Sequence, residues 1–128
     1  MRTLCLRGTV FSGRGEGARF INLPWVKKQI REQLGFSPYR GTLNVRLTRE
    51  SIRVKKLLTR VAGLKINPAA GYYAGKLFRA RLMNLECALV IPQVPGYSED
   101  VIELISPDDL KNKLCLEDGS TCEIKVMI

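Results

Sequence analysis

The stretch Thr42-Leu43-Asn44-Val45-Arg46-Leu47 alternates with period two, Leu43, Val45 and Leu47 on one side and Thr42, Asn44 and Arg46 on the other. That is the pattern of a strand with one face in a core. Upstream, Phe36 to Gly41 contains Pro38 and reads as a turn. Before it, Val26, Ile30 and Leu34 recur at spacing four behind Pro24, which suits the first turn of a helix, and Gly35 supplies the stop. Further back, Thr3 to Phe11 is a β-rich run that ends in Ser12-Gly13-Arg14-Gly15-Glu16-Gly17-Ala18-Arg19, a loop with three glycines at alternate positions. Downstream, Leu77–Met83 and Glu86–Ile91 read as a hairpin with Asn84 near its turn, and Pro92 to Gly96 breaks the chain. Val101–Ile105 resumes as a strand, and Ser106-Pro107-Asp108-Asp109 predicts a helix capped by Ser106 that runs to about Leu114. Asp118-Gly119 makes a turn before Thr121–Ile128, with Cys122, Ile124, Val126 and Ile128 inward.

Between these elements Thr48 to Gly75 is the least legible part, either a short basic helix over Ile52–Val61 or a loop that wraps around the domain. About six short strands and two helices argue for a small closed β-barrel rather than a doubly wound sheet.

The 128 residues suit a single domain, 1–128, and 45% hydrophobic against 26% charged residues excludes disorder. No run of 18 apolar residues and no signal-peptide pattern is present, so a soluble, cytoplasmic protein is expected. The chain has no histidine, which removes Ser-His-Asp and Cys-His nucleophile pairs and histidine-ligated zinc. Cys5, Cys87, Cys115 and Cys122 lack CxxC spacing and read as reduced core residues.

Charge is polarised. Residues 1–83 carry 18 Lys/Arg against Glu16, Glu32 and Glu50, a balance of +15, whereas 84–128 carry three lysines against nine acids, a balance of −6. Such a surface attracts anions, whether the phosphates of a nucleotide or a nucleic-acid backbone.

Three constellations carry candidate chemistry. The glycine loop can turn backbone N–H groups towards an anion, helped by Arg14 and Arg19, although a plain flexible connection explains it as well. Thr42 and Asn44 share a strand face, so a hydroxyl and an amide oxygen can converge on a hard cation whose shell is otherwise phosphate and water. The alternative is a polar outer face. Glu103, amid Val101, Ile102, Leu104 and Ile105, needs water or a partner; it is either a solvated outer-face residue or a base for an alcohol. Trp25, Tyr39, Tyr72 and Tyr73 either pack at the rim of the core or stack on a planar ring.

Taken in order, Gly8-Thr9-Val10, Ser12-Gly13-Arg14-Gly15-Glu16-Gly17, Leu23-Pro24, Leu34-Gly35-Phe36-Ser37-Pro38-Tyr39-Arg40-Gly41-Thr42-Leu43-Asn44-Val45, Ile91-Pro92 and Ile102-Glu103-Leu104-Ile105-Ser106-Pro107 resemble the archaeal CTP-dependent riboflavin kinase family. The resemblance spans nearly the whole chain outside Thr48–Gly75. It implies a mainly β fold, a six-stranded cradle-loop barrel with short peripheral helices. It also implies transfer of the γ-phosphoryl group of CTP to the 5′-hydroxyl of riboflavin, giving FMN and CDP. By the same resemblance, nucleotide contacts fall on Arg14, Gly15, Glu16, Gly17, Ala18 and Arg19, and on Asp108, Asp109, Leu110 and Lys111. Magnesium ligands fall on Thr42 and Asn44, and flavin contacts on Pro95 and Glu103.

Two residues depart from the family pattern. Pro95 offers only a carbonyl or its ring, and Asp108 and Asp109 would repel a phosphate while still accepting bonds from a base or ribose. The implied partners are riboflavin or FMN and CTP or CDP, with a monomer expected and neither a membrane nor a specific nucleic acid. A non-catalytic nucleic-acid-binding barrel is the alternative that the basic half favours, although no recognised base-reading motif is present and no helix-turn-helix extension is expected before residue 1.

Overall fold

The structure, a computed structural model, describes residues 2–69 and 71–128. The alternating segments form β1 (Thr3–Phe11), β2 (Leu43–Leu47), β4 (Gly75–Leu82), β5 (Leu85–Pro92), β6 (Val101–Ile105) and β7 (Thr121–Met127), with a short β3 (Leu64–Ile66). The antiparallel order is β3-β4-β5-β6-β2-β1-β7, and β7 pairs back onto β4. Six strands therefore close a barrel. The free edge of β4 is divided, Gly75–Leu77 pairing with β3 and Ala80–Leu82 with β7. The β4–β5 hairpin turns at Met83 and Asn84, with Met83 at φ 56°, a left-handed conformation that costs a non-glycine residue.

Alternation sorts two cores. The barrel interior holds Leu6, Val10, Val45, Leu89, Ile102, Leu104, Ile124 and Val126. A second core lies on the outer wall of β4–β6, where Leu77, Ala88, Val90 and Ile105 meet Val26, Ile30 and Leu34 of α2 (Pro24–Leu34). α2 starts with Pro24 in its first turn and ends at Gly35 in the left-handed conformation, φ 80°. Arg79 donates to the carbonyls of Gln33 and Leu34, so a cation of β4 sits on the negative end of the helix dipole.

The segment that the sequence leaves open contains α3 (Arg49–Leu58), a helix capped by the Thr48 hydroxyl, which accepts from the Ser51 N–H at 3.3 Å. Its Leu58 enters the interior cluster, and Ser51 accepts from the Arg7 N–H at 2.7 Å. Because α3 follows the end of β2 and α4 (Leu110–Lys113) follows the end of the antiparallel β6, the two helices cover opposite ends of the barrel.

Four expectations change. Among the described residues there are seven strands and four helices: β3 and the glycine-loop helix α1 (Glu16–Ile21) are too short to carry a periodic signal of their own, and the helix alternative holds for the 48–75 segment as α3. The last helix begins at Leu110, not Pro107, and its cap is Asp109, which accepts from the Asn112 N–H. Ser106 is instead fully buried and donates to the Glu86 carbonyl at 2.8 Å. Of the four free cysteines only Cys87 is buried; Cys5 and Cys115 are exposed and Cys122 is half-buried. Among the described residues, no helix is long and apolar enough to cross a membrane.

Candidate active site

The site is built on one row of cross-strand neighbours. Phe11 of β1 lies opposite Asn44 of β2, Asn44 opposite Glu103 of β6, and Glu103 opposite Val90 of β5. Directly opposed residues share a face, and Val90 belongs to the outer core, so Asn44 and Glu103 point outwards from the barrel. Glu103 is nevertheless only 7% exposed. The outer-face reading was right about direction and wrong about solvent.

The glycine loop is the cover. It leaves β1 and crosses back over the row, and its three glycines serve different ends. A Cβ on Gly13 would come within 2.7 Å of the Asn44 amide, and a Cβ on Gly17 within 1.7 Å of Glu103 Oε1. A Cβ on Gly15 would meet nothing, but this residue has φ +81°, the left-handed turn that starts α1. The loop is thus a close-fitting roof over Asn44 and Glu103, and no longer a plain flexible connection.

Under it, Glu103 is held by hydroxyls rather than cations. Thr42 Oγ1 donates to Oε1 at 3.0 Å and the Tyr97 hydroxyl donates to Oε2 at 2.6 Å. Burial, then the bond to Glu103, pushes the Tyr97 hydroxyl well above its ordinary pKa, so it stays a phenol and a donor. Tyr97 went unnoticed in the sequence because a single aromatic after Pro95-Gly96 carries no periodic signal. Its position six residues before Glu103 acquires meaning only when the loop folds back.

Three cavities meet here. The first, about 190 Å³ and largely apolar, is lined by Phe20, Tyr72, Tyr73, Val90, Tyr97, Thr42 and Glu103. Trp25 backs it, edge-on to Phe20 at 6.0 Å and to Tyr72 at 5.4 Å, so Trp25 packs while Tyr72 and Tyr73, half exposed, face the opening. The second is an open groove between the glycine loop, Asn44, Arg46 and the Pro95–Tyr97 loop, which also reaches Glu103. Pro95 lies on its far wall, and Arg14 is exposed along it. The third runs from Tyr39, Gly41 and Thr42 to Asp108, Asp109, Leu110 and Lys111.

The hydrogen-bonded pair Thr42–Glu103 therefore stands where an aromatic-lined pocket adjoins two polar grooves. In the third, Lys113 pairs with Asp108 at 3.1 Å and Asp109 serves as the helix cap, so both acids have structural partners. Lys111 bonds Asp118 at 3.0 Å and Ser12 Oγ at 3.3 Å, tying this segment to the glycine loop. Ala18 and Arg19 lie in α1, and the Arg19 guanidinium reaches back to the Arg14 carbonyl.

Thr42 and Asn44 are the residues that would hold a hard divalent cation. Both donors are oxygens, the two residues are neighbours on one strand face, and Gly13 leaves open the space a Cβ would fill against Asn44. Tyr39, unlike Tyr72 and Tyr73, sits beside its own neighbour Arg40, whose guanidinium lies 5.9 Å from the ring centre, and lines the third groove.

Comparison with known proteins gives one family. Residues 10–126 match the model of the family CTP-dep_RFKase, described as "Domain of unknown function DUF120". The chain belongs to the CTP-dependent riboflavin kinase family. It is 38% identical over 130 residues to the riboflavin kinase of Archaeoglobus fulgidus, which covers 98% of this chain and 56% of that protein. It is 40% identical over 127 residues to that of Pyrobaculum islandicum, covering 96% and 60%, and 40% identical over 129 residues to that of Ignicoccus hospitalis, covering 98% and 72%. The chain thus spans somewhat over half the length of the first two relatives. For the riboflavin kinase family, the glycine loop, the Thr42–Asn44 strand and Glu103 all fall inside the matched segment.

Proposed function

We propose that this chain is a riboflavin kinase domain that moves the γ-phosphoryl group of CTP to the 5′-hydroxyl of riboflavin, giving FMN and CDP. The observation that carries the reading is the Thr42–Glu103 pair at the junction of an aromatic pocket with two polar grooves. Group transfer between two ligands needs such a junction, with both held in attack geometry.

In this reading the flavin ring enters between Tyr72, Tyr73 and Tyr97, and its ribityl chain runs to Glu103. The nucleotide lies along Arg14–Arg19, with its base or ribose towards Tyr39 and Asp108–Lys111. A purely phosphate role for that last segment is disfavoured by its two carboxylates. Thr42 and Asn44 would hold magnesium, which when bound neutralises charge on the phosphates. The 5′-oxygen attacks the γ-phosphorus, the bond from that phosphorus to the CDP oxygen breaks, and Glu103 takes the hydroxyl proton. Phosphoryl transfer asks the protein mainly for positioning and charge neutralisation, which fits a site without histidine.

Part of the basic half of the chain is engaged within the fold. Lys55 and Lys76 donate to backbone carbonyls, as Arg79 does, and Arg7 and Arg46 pair with Glu123 and Asp100. The test is chromatography for FMN after mixing the chain with riboflavin, magnesium and each nucleoside triphosphate separately. FMN with CTP in excess over the other donors is expected. Absence of FMN with every donor removes the kinase reading, and equal yields remove the CTP preference.

A further inference from the structure

Glu103 is confined on three sides: Thr42 on Oε1, Tyr97 on Oε2, and Gly17 so close that a Cβ would overlap the carboxylate. Tyr97 is itself held from behind. Lys55 of α3 is 6% exposed, and its ammonium donates to the carbonyls of Val101 at 2.9 Å, Ser98 at 3.0 Å and Glu99 at 3.4 Å. The same nitrogen lies 5.3 Å from the centre of the Tyr97 ring, within cation–π range. Three carbonyls converging on an ammonium match its three donors, which is how a buried lysine stays satisfied without a carboxylate. The carbonyls belong to the loop that links Tyr97 to β6, so Lys55 fixes the span between the phenol and the carboxylate it serves.

We propose that Lys55 and Tyr97 form a positioning relay for Glu103: α3 clamps the Tyr97–Val101 loop through Lys55, and the phenol then locks the carboxylate in the orientation that receives the substrate hydroxyl. The inference rests on the kinase reading, and it gives the helix of the 48–75 region a task at the site. Neither residue is required to touch a reacting atom. A carboxylate with both oxygens already tethered has one open direction left, towards the cavities, and loses that preference when a tether goes.

The test combines steady-state kinetics with backbone amide exchange on the full chain. Tyr97→Phe keeps the ring and loses the donor. It should lower kcat roughly 10-fold, as expected when a reacting group is slightly misplaced, with the KM for riboflavin changed by less than about threefold. In a Glu103→Gln background the same change should cost nothing further, because it acts through that carboxylate. Lys55→Met should reproduce the kcat loss and speed amide exchange across 97–103; if that variant fails to fold, Lys55→Gln takes its place with the same expectation.

Unchanged kcat in Tyr97→Phe, or an equal further loss in the Glu103→Gln background, overturns the relay, as does a change confined to KM. A wild-type chain that forms no FMN overturns the kinase reading instead. Exchange then decides the clamp alone: faster exchange at 97–103 on loss of Lys55 supports it, and unchanged exchange sinks it.

Discussion

Gly17 and Asn44 are the positions where single atoms matter most. A methyl at position 17 would arrive 1.7 Å from Glu103 Oε1, and the carboxylate cannot simply yield, because Thr42 and Tyr97 pin both oxygens. Gly17→Ala should therefore stay folded, judged by circular dichroism, yet lose activity by at least roughly 10-fold through displacement of Glu103. Wild-type turnover in that variant would mean the roof gives way easily. Asn44→Ala should lower FMN formation about 10²-fold, comparable to removing one preorganised electrostatic contact, while riboflavin quenching titrations change little. If riboflavin affinity falls instead, Asn44 belongs to the flavin side.

Among the elements, α3 shows most clearly what hydrophobic pattern alone misses. Its buried positions are Ser51, Lys55 and Leu58, a helical stripe in which only one residue is apolar, while Leu57 stands 52% exposed. The stripe is buried because Arg7 N–H meets Ser51 and three carbonyls meet Lys55, all from distant segments. Leu58 is the element's anchor in the barrel interior. Leu58→Ala should cost about 2–5 kcal/mol of stability, the usual range for a buried leucine, read from the denaturant midpoint at constant slope. A loss within experimental error would show α3 to be a loose flap. α2 is the contrasting case, since Pro24, Gly35 and the spacing of Val26, Ile30 and Leu34 give its bounds and its buried face directly.

For the whole molecule, burial sets the response to alkali. Burial pushes the Cys87 thiol from 9.0 up to about 12, and raises the Tyr97 phenol as well. A group with its pKa raised on folding contributes stability that is complete below its unfolded value and is lost as pH climbs to its folded one. For Cys87 the window is pH 9 to about 12. Lys55 works the other way: burial lowers its pKa, so its cost is relieved as pH approaches 10.5. The urea midpoint should fall above pH 9, and Cys87→Ala should flatten that decline whatever it does to the midpoint at neutral pH. An unaltered slope in Cys87→Ala would assign the alkaline loss elsewhere.

The strand alternations, the bounds of α2, the turn at Asp118-Gly119 and the barrel class are properties of neighbouring residues, and the sequence by itself determined them. The family motifs likewise marked Thr42, Asn44, the glycine loop and Glu103. Whether Glu103 meets water was a different matter. Its alternation puts it on the outer face, and only a loop arriving from β1 and a phenol arriving from the 93–100 segment bury it there. Tyr97 and Lys55 were invisible for the same reason. Period and spacing record which face a side chain takes, whereas the partner waiting on that face comes from another part of the chain and exists only once the barrel has closed.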